Sequence, residues 1–219
     1  MLRSKFGKEL AILQADLNTM CYGVTMAIEE CITAFKTQDK QLAKNIILND
    51  KKINEMELKI EARCLSLILK QQPIATDLRN VTTALKIVTD LERIGDQSAD
   101  IAKILLTLHG DSMYRMVEHI PNMASIAKAM VKESIDAFNE GDVDKATKIK
   151  EKDDTLDSYF VIVKDEVSTI IRETPDNSDL GIDFLMIAKY FERIGDHAVN
   201  ICEWIEFNQT GIFNDHRLL

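Results

Sequence analysis

The strongest constraint on the fold of this chain is an internal repeat. The pentapeptide Glu-Arg-Ile-Gly-Asp occupies positions 92–96 and returns unchanged at positions 192–196. Residues upstream of it also agree, at an offset of about 103 positions, as when Asp50 corresponds to Asp153. Self-similarity at a fixed spacing is typical of chains built from repeated structural units. The sequence therefore predicts two related halves with the same fold.

Each half predicts three long helices. Only 8 Gly and 3 Pro occur among 219 residues, which argues against a β-sandwich, because that fold needs a turn roughly every ten residues. Long helices with short connections pack antiparallel to their neighbours. The predicted fold is all-α, with two tandem three-helix bundles, residues 1–110 and 111–219, joined near Gly110. The predicted helices span residues 5–35, 39–69, 77–108, 113–139, 142–172 and 179–207.

Capping and helix-breaking residues define several of these boundaries. Asp39 and Asp77 are predicted N-caps, since a carboxylate can accept hydrogen bonds from the free N–H groups of a first turn. Pro73 ends the second helix, because proline lacks an N–H and restricts the residue before it. Gly141 is predicted to end the fourth helix.

The overall charge excludes some classes of protein. There are 36 Asp and Glu against 27 Lys and Arg, a net charge of −9, whereas nucleic-acid binding needs a surplus of basic residues on one face. No segment reaches the roughly 18 uncharged apolar residues of a membrane span, and the start turns polar too soon for a signal peptide. We expect a cytoplasmic protein without nucleic-acid binding or direct membrane insertion. The cysteines, predicted to be buried free thiols, are Cys21, Cys31, Cys64 and Cys202.

Acidic residues interrupt the apolar face of the third helix in each half. Apolar residues recur from Leu78 to Val88 at spacings of three and four, as in a helix facing a bundle core, and Glu92 takes the next position. Further carboxylates follow at one-turn intervals along the same edge of the helix. Like charges one turn apart repel each other, so the row needs an offsetting cation. The first half contributes Glu92, Asp96 and Asp100, and the second contributes Glu192 and Asp196, with Asn200 at the third position.

The second helix of each half carries a matching polar row. Asp50 and Glu57 share a heptad position with apolar residues, and Asp153 lies at the border of an apolar stripe in the second half. Asn54 and Asp157 follow one turn later. If the second and third helices lie antiparallel, these rows face the carboxylates of the third helix, and each bundle contains one oxygen-rich cluster.

Two interpretations of these clusters remain open. Carboxylate oxygens are hard ligands that suit Mg²⁺, Mn²⁺, Ca²⁺ or iron better than a structural zinc site, although the sequence does not distinguish among Fe, Mn, Mg, Zn and Ca. Alternatively, the carboxylates lie on solvated helix faces, where Arg93 and Arg193 form ordinary ion pairs with them. His197, beside Asp196, either adds a nitrogen ligand or takes no part.

The motifs of common enzyme classes are missing from the sequence. There is no glycine-rich phosphate loop, no G-x-S-x-G, no H-E-x-x-H and no pair of Glu-x-x-His motifs. We therefore expect no enzymatic activity and no organic cofactor.

The repeated blocks resemble one known family. DLERIGDQSADI at 90–101, FERIGDHAVNI at 191–201, QQPIATDLRNVTTALKI at 71–87 and LNDKKINEMELKIE at 48–61 are similar to segments of the PhoU family of phosphate-signalling regulators. The resemblance covers essentially the whole chain. It implies two similar three-helix bundles, often in a dimer, with metal ions or iron clusters on Glu/Asp-x-x-x-Asp motifs. The residues at the matching positions are Asp50, Glu92, Asp96, Asp100, Asp153, Asp157, Glu192 and Asp196, while Asn54 and Asn200 depart from the pattern.

The resemblance also implies a function. Members of this family restrain the phosphate-starvation response, acting between the ATPase subunit of a phosphate ABC transporter and a membrane sensor histidine kinase. On this basis we expect a negative regulator of phosphate homeostasis that works by protein binding as a homodimer. Two alternatives stay open: a helical protein whose function is to bind or store metal, and an accessory protein of a low-affinity phosphate carrier.

Overall fold

The computed structural model describes residues 2–74, 76–108, 117–213 and 216–217. After the last helix, which ends at Thr210, come two-residue strands, Ile212–Phe213 (β1) and His216–Arg217 (β2), which pair antiparallel. The all-α prediction is confirmed, and this short hairpin is an addition that the sequence did not predict. Over the described residues the helices are α1 Leu2–Thr37, α2 Lys40–Gln71, α3 Thr76–Thr107, α4 Ile120–Glu140, α5 Val143–Glu173 and α6 Ser178–Thr210, with a 3₁₀ turn at Pro175–Asn177.

Most helix ends follow the local chemistry of the sequence. The Asp39 carboxylate accepts hydrogen bonds of 2.9 Å from two backbone N–H groups in the first turn of α2, which confirms it as an N-cap. Gln72, just before Pro73, adopts a left-handed conformation with φ of 47° and ends α2. Gly141, with φ of 67°, ends α4 in the same region of backbone angles, which glycine occupies without steric cost.

Two helix starts differ from the sequence prediction. α3 begins at Thr76, so Asp77 lies inside the first turn rather than at the N-cap, where its charge still interacts favourably with the helix dipole. α4 begins at Ile120, with Pro121 in its first turn, whereas a start near Met113 was predicted. Proline suits a first turn, because the N–H it lacks would be unpaired there. Met113 and the predicted junction at Gly110 lie outside the described residues.

The two central helices join the halves into one core. α3 packs against α1, α2 and α6, while α6 packs against α3, α4 and α5. Buried apolar side chains from all six helices form one continuous cluster. Across the halves, Phe35 of α1 meets Phe184 of α6 edge to face, with ring centroids 5.8 Å apart. The apolar faces of the two halves thus pack against one another. None of the described helices is both long enough and apolar enough to cross a membrane.

The cysteines are part of this core. All four are free and buried, as predicted. Burial raises the pKa of the Cys21, Cys64 and Cys202 thiols to about 12 and also raises that of Cys31. Since the thiolate is the reactive form of cysteine, these side chains are inert packing residues.

Candidate metal centre

The polar rows of α2 and α3 come together in what we call the first cluster. Gly95 allows the close approach: a Cβ built at this position would lie 3.0 Å from Ile53 Cγ2 and 3.4 Å from Asp50 Oδ1. A glycine inside a helix costs about 1 kcal/mol relative to alanine, and the proximity of α2 explains its presence here. The first cluster comprises Asp50, Asn54 and Glu57 on α2 with Glu92, Asp96 and Asp100 on α3.

The second cluster repeats this arrangement between α5 and α6. Gly195 occupies the position of Gly95, and its neighbours are closer still: a Cβ there would overlap Leu156 Cδ2 and lie 2.9 Å from Asp153 Oδ1. Both glycines therefore lie where two neighbouring helices approach closely. The second cluster comprises Asp153 and Asp157 on α5 with Glu192 and Asp196 on α6.

Burial and mutual repulsion shape the electrostatics of the first cluster. Burial, followed by the charge of Glu92, raises the pKa of Glu57 to about 7. The pKa values of Asp50 and Glu92 are also raised, in both cases chiefly by burial and then by the charge of Asp96. The positive charge of Lys103 acts in the opposite direction and lowers the pKa of Asp50. Asp50, Glu57 and Glu92 therefore hold their protons more tightly than isolated carboxylates do.

In the second cluster, repulsion between carboxylates acts mainly on Asp153. Burial raises the pKa of Asp153 to about 6, and every further contribution comes from a carboxylate, led by Asp157 and Asp196. A bound cation would relieve this repulsion, since opposite charge favours the ionised form of a carboxylate.

Basic side chains neutralise part of both clusters. Arg93 pairs with Asp96 at 3.1 Å and lies 3.5 Å from Glu92. Lys103 contacts Asp100 at 2.7 Å, and Lys189 contacts Glu192 at 2.6 Å. These pairs, which are partly exposed, match the interpretation of ordinary ion pairs for some of the predicted residues.

The buried oxygens near the glycines have no such partner. Oδ1 of Asp50 and Oδ1 of Asp153 are buried and accept no hydrogen bond, and neither does Oδ1 of Asn54. Their donor chemistry fits a hard cation. However, within the described residues no three His, Cys, Asp or Glu side chains converge into a ready metal site. A metal would need these side chains to turn toward one another.

His197 and Asn200 contact the other half of the molecule. Nδ1 of His197 lies 2.9 Å from Oδ1 of Asp90 on α3, and the Asn200 amide donates to the same oxygen at 3.3 Å. Asp90 is buried, so this contact links α3 to α6 inside the molecule. The sequence did not predict it, because it joins residues about a hundred positions apart.

Glu57 is a member of the first cluster that the predicted ligand set omitted. Its heptad position, shared with Asp50, was the available signal. The charges of Glu92 and Asp96 both contribute to raising its pKa. Asp96 also raises the pKa of Asp50 and of Glu92, so it is the neighbouring charge that these three carboxylates share.

Comparisons of the sequence with known proteins agree with the two-half layout. The family model described as the PhoU domain matches residues 17–105 and again residues 120–205. A phosphate-specific transport system accessory protein PhoU homolog from Clostridium acetobutylicum is 39% identical over 212 residues, covering 96% of this chain and 97% of the relative. The phosphate-specific transport system accessory protein PhoU of Escherichia coli is 31% identical over 210 residues, covering 96% and 87%.

Solved structures show the same similarity in three dimensions. The crystal structure of PhoU from Pseudomonas aeruginosa aligns with a TM-score of 0.86 at 31% sequence identity, covering 94% of this chain and all of that one. The phosphate transport system regulatory protein PhoU from Streptococcus pneumoniae also aligns with a TM-score of 0.86, at 28% identity and 96% coverage of this chain. With both halves matched by the family model, and with relatives aligned along nearly its whole length, the chain belongs to the PhoU family.

Proposed function

We propose that this protein is a cytoplasmic regulator of phosphate uptake and of the phosphate-starvation response. The observation that carries the proposal is the match along both halves to proteins named accessory proteins of a phosphate-specific transport system. The predicted absence of a catalytic centre supports action by binding. Its long helices offer extended faces for partner proteins.

In this proposal the protein binds both the ATPase subunit of a phosphate ABC transporter and a sensor histidine kinase. It keeps the starvation response off while phosphate is plentiful. Coupling of this kind requires that the protein bind one state of each partner more tightly than the other, because a ligand with equal affinity for both states shifts no equilibrium. It acts as a homodimer, for which a contact surface is argued below.

A deletion strain tests the regulatory role. Removing the gene should switch on a phosphate-starvation reporter in phosphate-rich medium, and the intact gene supplied in trans should switch it off again. The empty vector supplied in trans is the control and should leave the reporter on. Reporter activity that stays low after deletion would contradict the proposal.

We further propose that the two clusters bind divalent or iron-type metal ions. The raised pKa values of Asp153 and Glu57 and the unpartnered Asp50 and Asp153 oxygens support it. The ligands would be Asp50, Glu92, Asp96 and Asp100 in the first cluster, and Asp153, Asp157, Glu192 and Asp196 in the second. A bound cation would offset the carboxylate repulsion between paired helices, and no other step of the proposed function depends on it.

Metal analysis of the protein purified without a chelator tests this second proposal. Replacing Glu92, Asp96, Glu192 and Asp196 with alanine should abolish metal uptake while the helical circular-dichroism signal persists. A control variant with the exposed Asp165, Glu173 and Asp176 replaced by alanine should keep its metal. Equal metal content in both variants would overturn the assignment.

Metal storage is the competing function that the carboxylate clusters favour. A storage protein should take up iron repeatedly in amounts far above the number of clusters, whereas a regulator should saturate at a few ions per chain. Measuring iron uptake against protein concentration separates the two. An unchanged starvation response in the deletion strain, together with repeated uptake, would favour storage.

A further inference from the structure

Helix α2 has a second apolar face, on the side opposite the core. Its inner face buries Ile46, Ile53, Ile60 and Leu67. The outer face carries apolar residues at spacings of four, three and four, the pattern of a helix that packs against another helix. We call this set the outer seam; it comprises Leu58, Ala62, Leu65 and Leu69.

The outer seam is strongly exposed within the single chain. Leu58 is 64% exposed, Leu65 is 54% and Leu69 is 77%, and Ile74, just beyond the end of α2, is 78% exposed. Single apolar residues on a surface are ordinary, but a contiguous stripe of them is uncommon on a monomeric protein and marks a contact site.

The second half supplies an internal comparison. At the equivalent positions α5 carries Val161, Asp165, Ser168 and Arg172. All four are exposed, like their counterparts on α2. Three of the four are polar, so the three-helix bundle folds without an apolar stripe on this face. The outer seam of α2 serves something other than the fold of its own half.

The exposed apolar area can be compared with the area that interfaces between two chains bury. The exposed fractions of the outer seam and Ile74 correspond to roughly 500 Å² on each chain, and a pair would bury about twice that, near the lower limit for specific interfaces. Flanking polar residues would add to this area. The seam alone thus approaches what a dimer needs.

We propose that the outer seam is the contact between two copies of this chain, with the two α2 helices antiparallel. In one such register Leu58 meets Leu69 of the second copy, and Ala62 meets Leu65 of the second copy, so large and small side chains interlock. A parallel pair would instead place Lys51 against Lys51 and Glu55 against Glu55, since both continue the same seam. The antiparallel register avoids this repulsion between like charges.

A face that pairs with a copy of itself gives a closed dimer. Such a symmetric pair leaves no free copy of the face, whereas two different faces that bind each other would generate rings or filaments. The equivalent face of α5, with Asp165, Ser168 and Arg172, offers the outer seam no comparable apolar stripe. This inference rests on the homodimer proposed above and assigns its surface.

Mass measurement in solution tests the assignment on the full chain. The native protein should have twice the 24.8 kDa mass of one chain, and a Leu65→Lys, Leu69→Lys double variant should have the mass of one chain. The matched control, Val161→Lys with Ser168→Lys on α5, should remain a dimer. Since all of these side chains are exposed, circular dichroism should show unchanged helix content in each.

The outcomes separate the surface from the dimer itself. A dimer that persists in the Leu65→Lys, Leu69→Lys variant overturns the outer seam and leaves the homodimer standing. A native protein that stays at the mass of one chain up to about 100 µM overturns both. Neither result bears on the phosphate reporter, which tests the regulatory role independently.

Chemical cross-linking gives a second, positional measurement. An Ala62→Cys variant treated with a short bis-maleimide should form a covalent dimer, because Ala62 lies near the symmetry axis of the antiparallel pair. The native cysteines are buried, with pKa values raised by burial, and should not react. An Asp165→Cys variant, altered at the equivalent position of α5, should give no covalent dimer. Equal cross-linking of the two variants would overturn the proposal.

Discussion

The two halves of this molecule agree in their core and differ on their outer faces. Both place a glycine of the third helix against the second helix, and both surround that contact with carboxylates. On the outside, α2 has an apolar seam where α5 is polar. Core geometry therefore constrains both halves alike, while the surfaces have changed independently, as expected if each half meets different partners.

One ion pair illustrates how the halves diverged without losing a contact. In the first half Arg63 of α2 pairs with Asp16 of α1 at 3.0 Å. At the equivalent positions of the second half, Glu166 of α5 pairs at 2.5 Å with His119, the residue just before α4. The pair occupies the same position in both halves, but its acidic and basic residues have exchanged places. Glu166 stands where the first half has Arg63, so the permanent positive charge is missing at this position of the second half. The same fold thus tolerates opposite charge patterns.

The largest expected effect tests whether the halves unfold together. Phe184→Ala removes a ring that is 1% exposed and packs on Phe35 of the other half. We expect a loss of about 3–5 kcal/mol in the free energy of unfolding, as for other buried aromatic truncations. Because the core is continuous, the variant should still unfold in one transition, measured by circular dichroism during heating.

The exposed Tyr22 provides the control for that experiment. Tyr22→Ala should change the free energy of unfolding by no more than about 0.5 kcal/mol, as surface substitutions usually do. Two separate unfolding transitions in Phe184→Ala, with one at the native temperature, would mean that the first half is stable alone and the core is not shared.

The next effect compares the two glycine contacts. Gly195→Ala should destabilise the protein by about 1–2 kcal/mol, since overpacking outweighs the gain in helix propensity. At Gly95 an added Cβ would lie 3.0 Å from Ile53 rather than overlapping a side chain, so Gly95→Ala should change stability by less than about 1 kcal/mol. Denaturant unfolding of the two variants measures the difference. A greater loss of stability in Gly95→Ala than in Gly195→Ala would contradict the structure, in which the contact at Gly195 is the closer one.

The repeat explains why so much of this fold was predictable. Each helix appears twice, so an apolar pattern read in one half is checked by the other, and Asp50 and Asp153 could be placed opposite Glu92 and Glu192 from spacing alone. Glycines inside strongly periodic helices indicated the close contacts, because only a nearby helix justifies their cost.

Contacts between the halves were not predictable in the same way. The repeat relates the halves but does not say which faces meet, and the link from Asp90 to His197 depends on the packing of α3 against α6. The raised pKa of Glu57 depends on its burial beside Glu92, a distance between two helices that periodicity does not give. Whether the carboxylates converge on a metal also depends on side-chain positions, which the sequence pattern does not give.

The third prediction concerns the diverged ion pair. Arg63→Ala should cost about 1 kcal/mol, because the arginine contacts both Asp16 and Glu9. His119→Ala should cost less, because the imidazole lies against one carboxylate, that of Glu166, rather than two. Denaturant unfolding of the two variants measures the difference. A greater loss at His119 would mean that packing against Tyr159, rather than the ion pair, dominates this contact.

The smallest effect compares the repulsion within the two clusters of the metal-free protein. With its pKa raised to about 6, from a usual value of 3.8, Asp153 binds its proton more tightly in the folded chain than in the unfolded one. Its stabilising contribution is therefore full below about pH 4 and is lost as the pH rises through 6. Asp153→Asn should then raise the free energy of unfolding by about 0.5 kcal/mol at pH 7.5, with a smaller gain near pH 4. Asp50→Asn should gain less, because Lys103 already offsets part of its repulsion, and Asp165→Asn, at an exposed position of α5, serves as the control. Thermal unfolding across this pH range measures all three, and a gain at Asp153 that does not vary with pH would show that repulsion is not its cause.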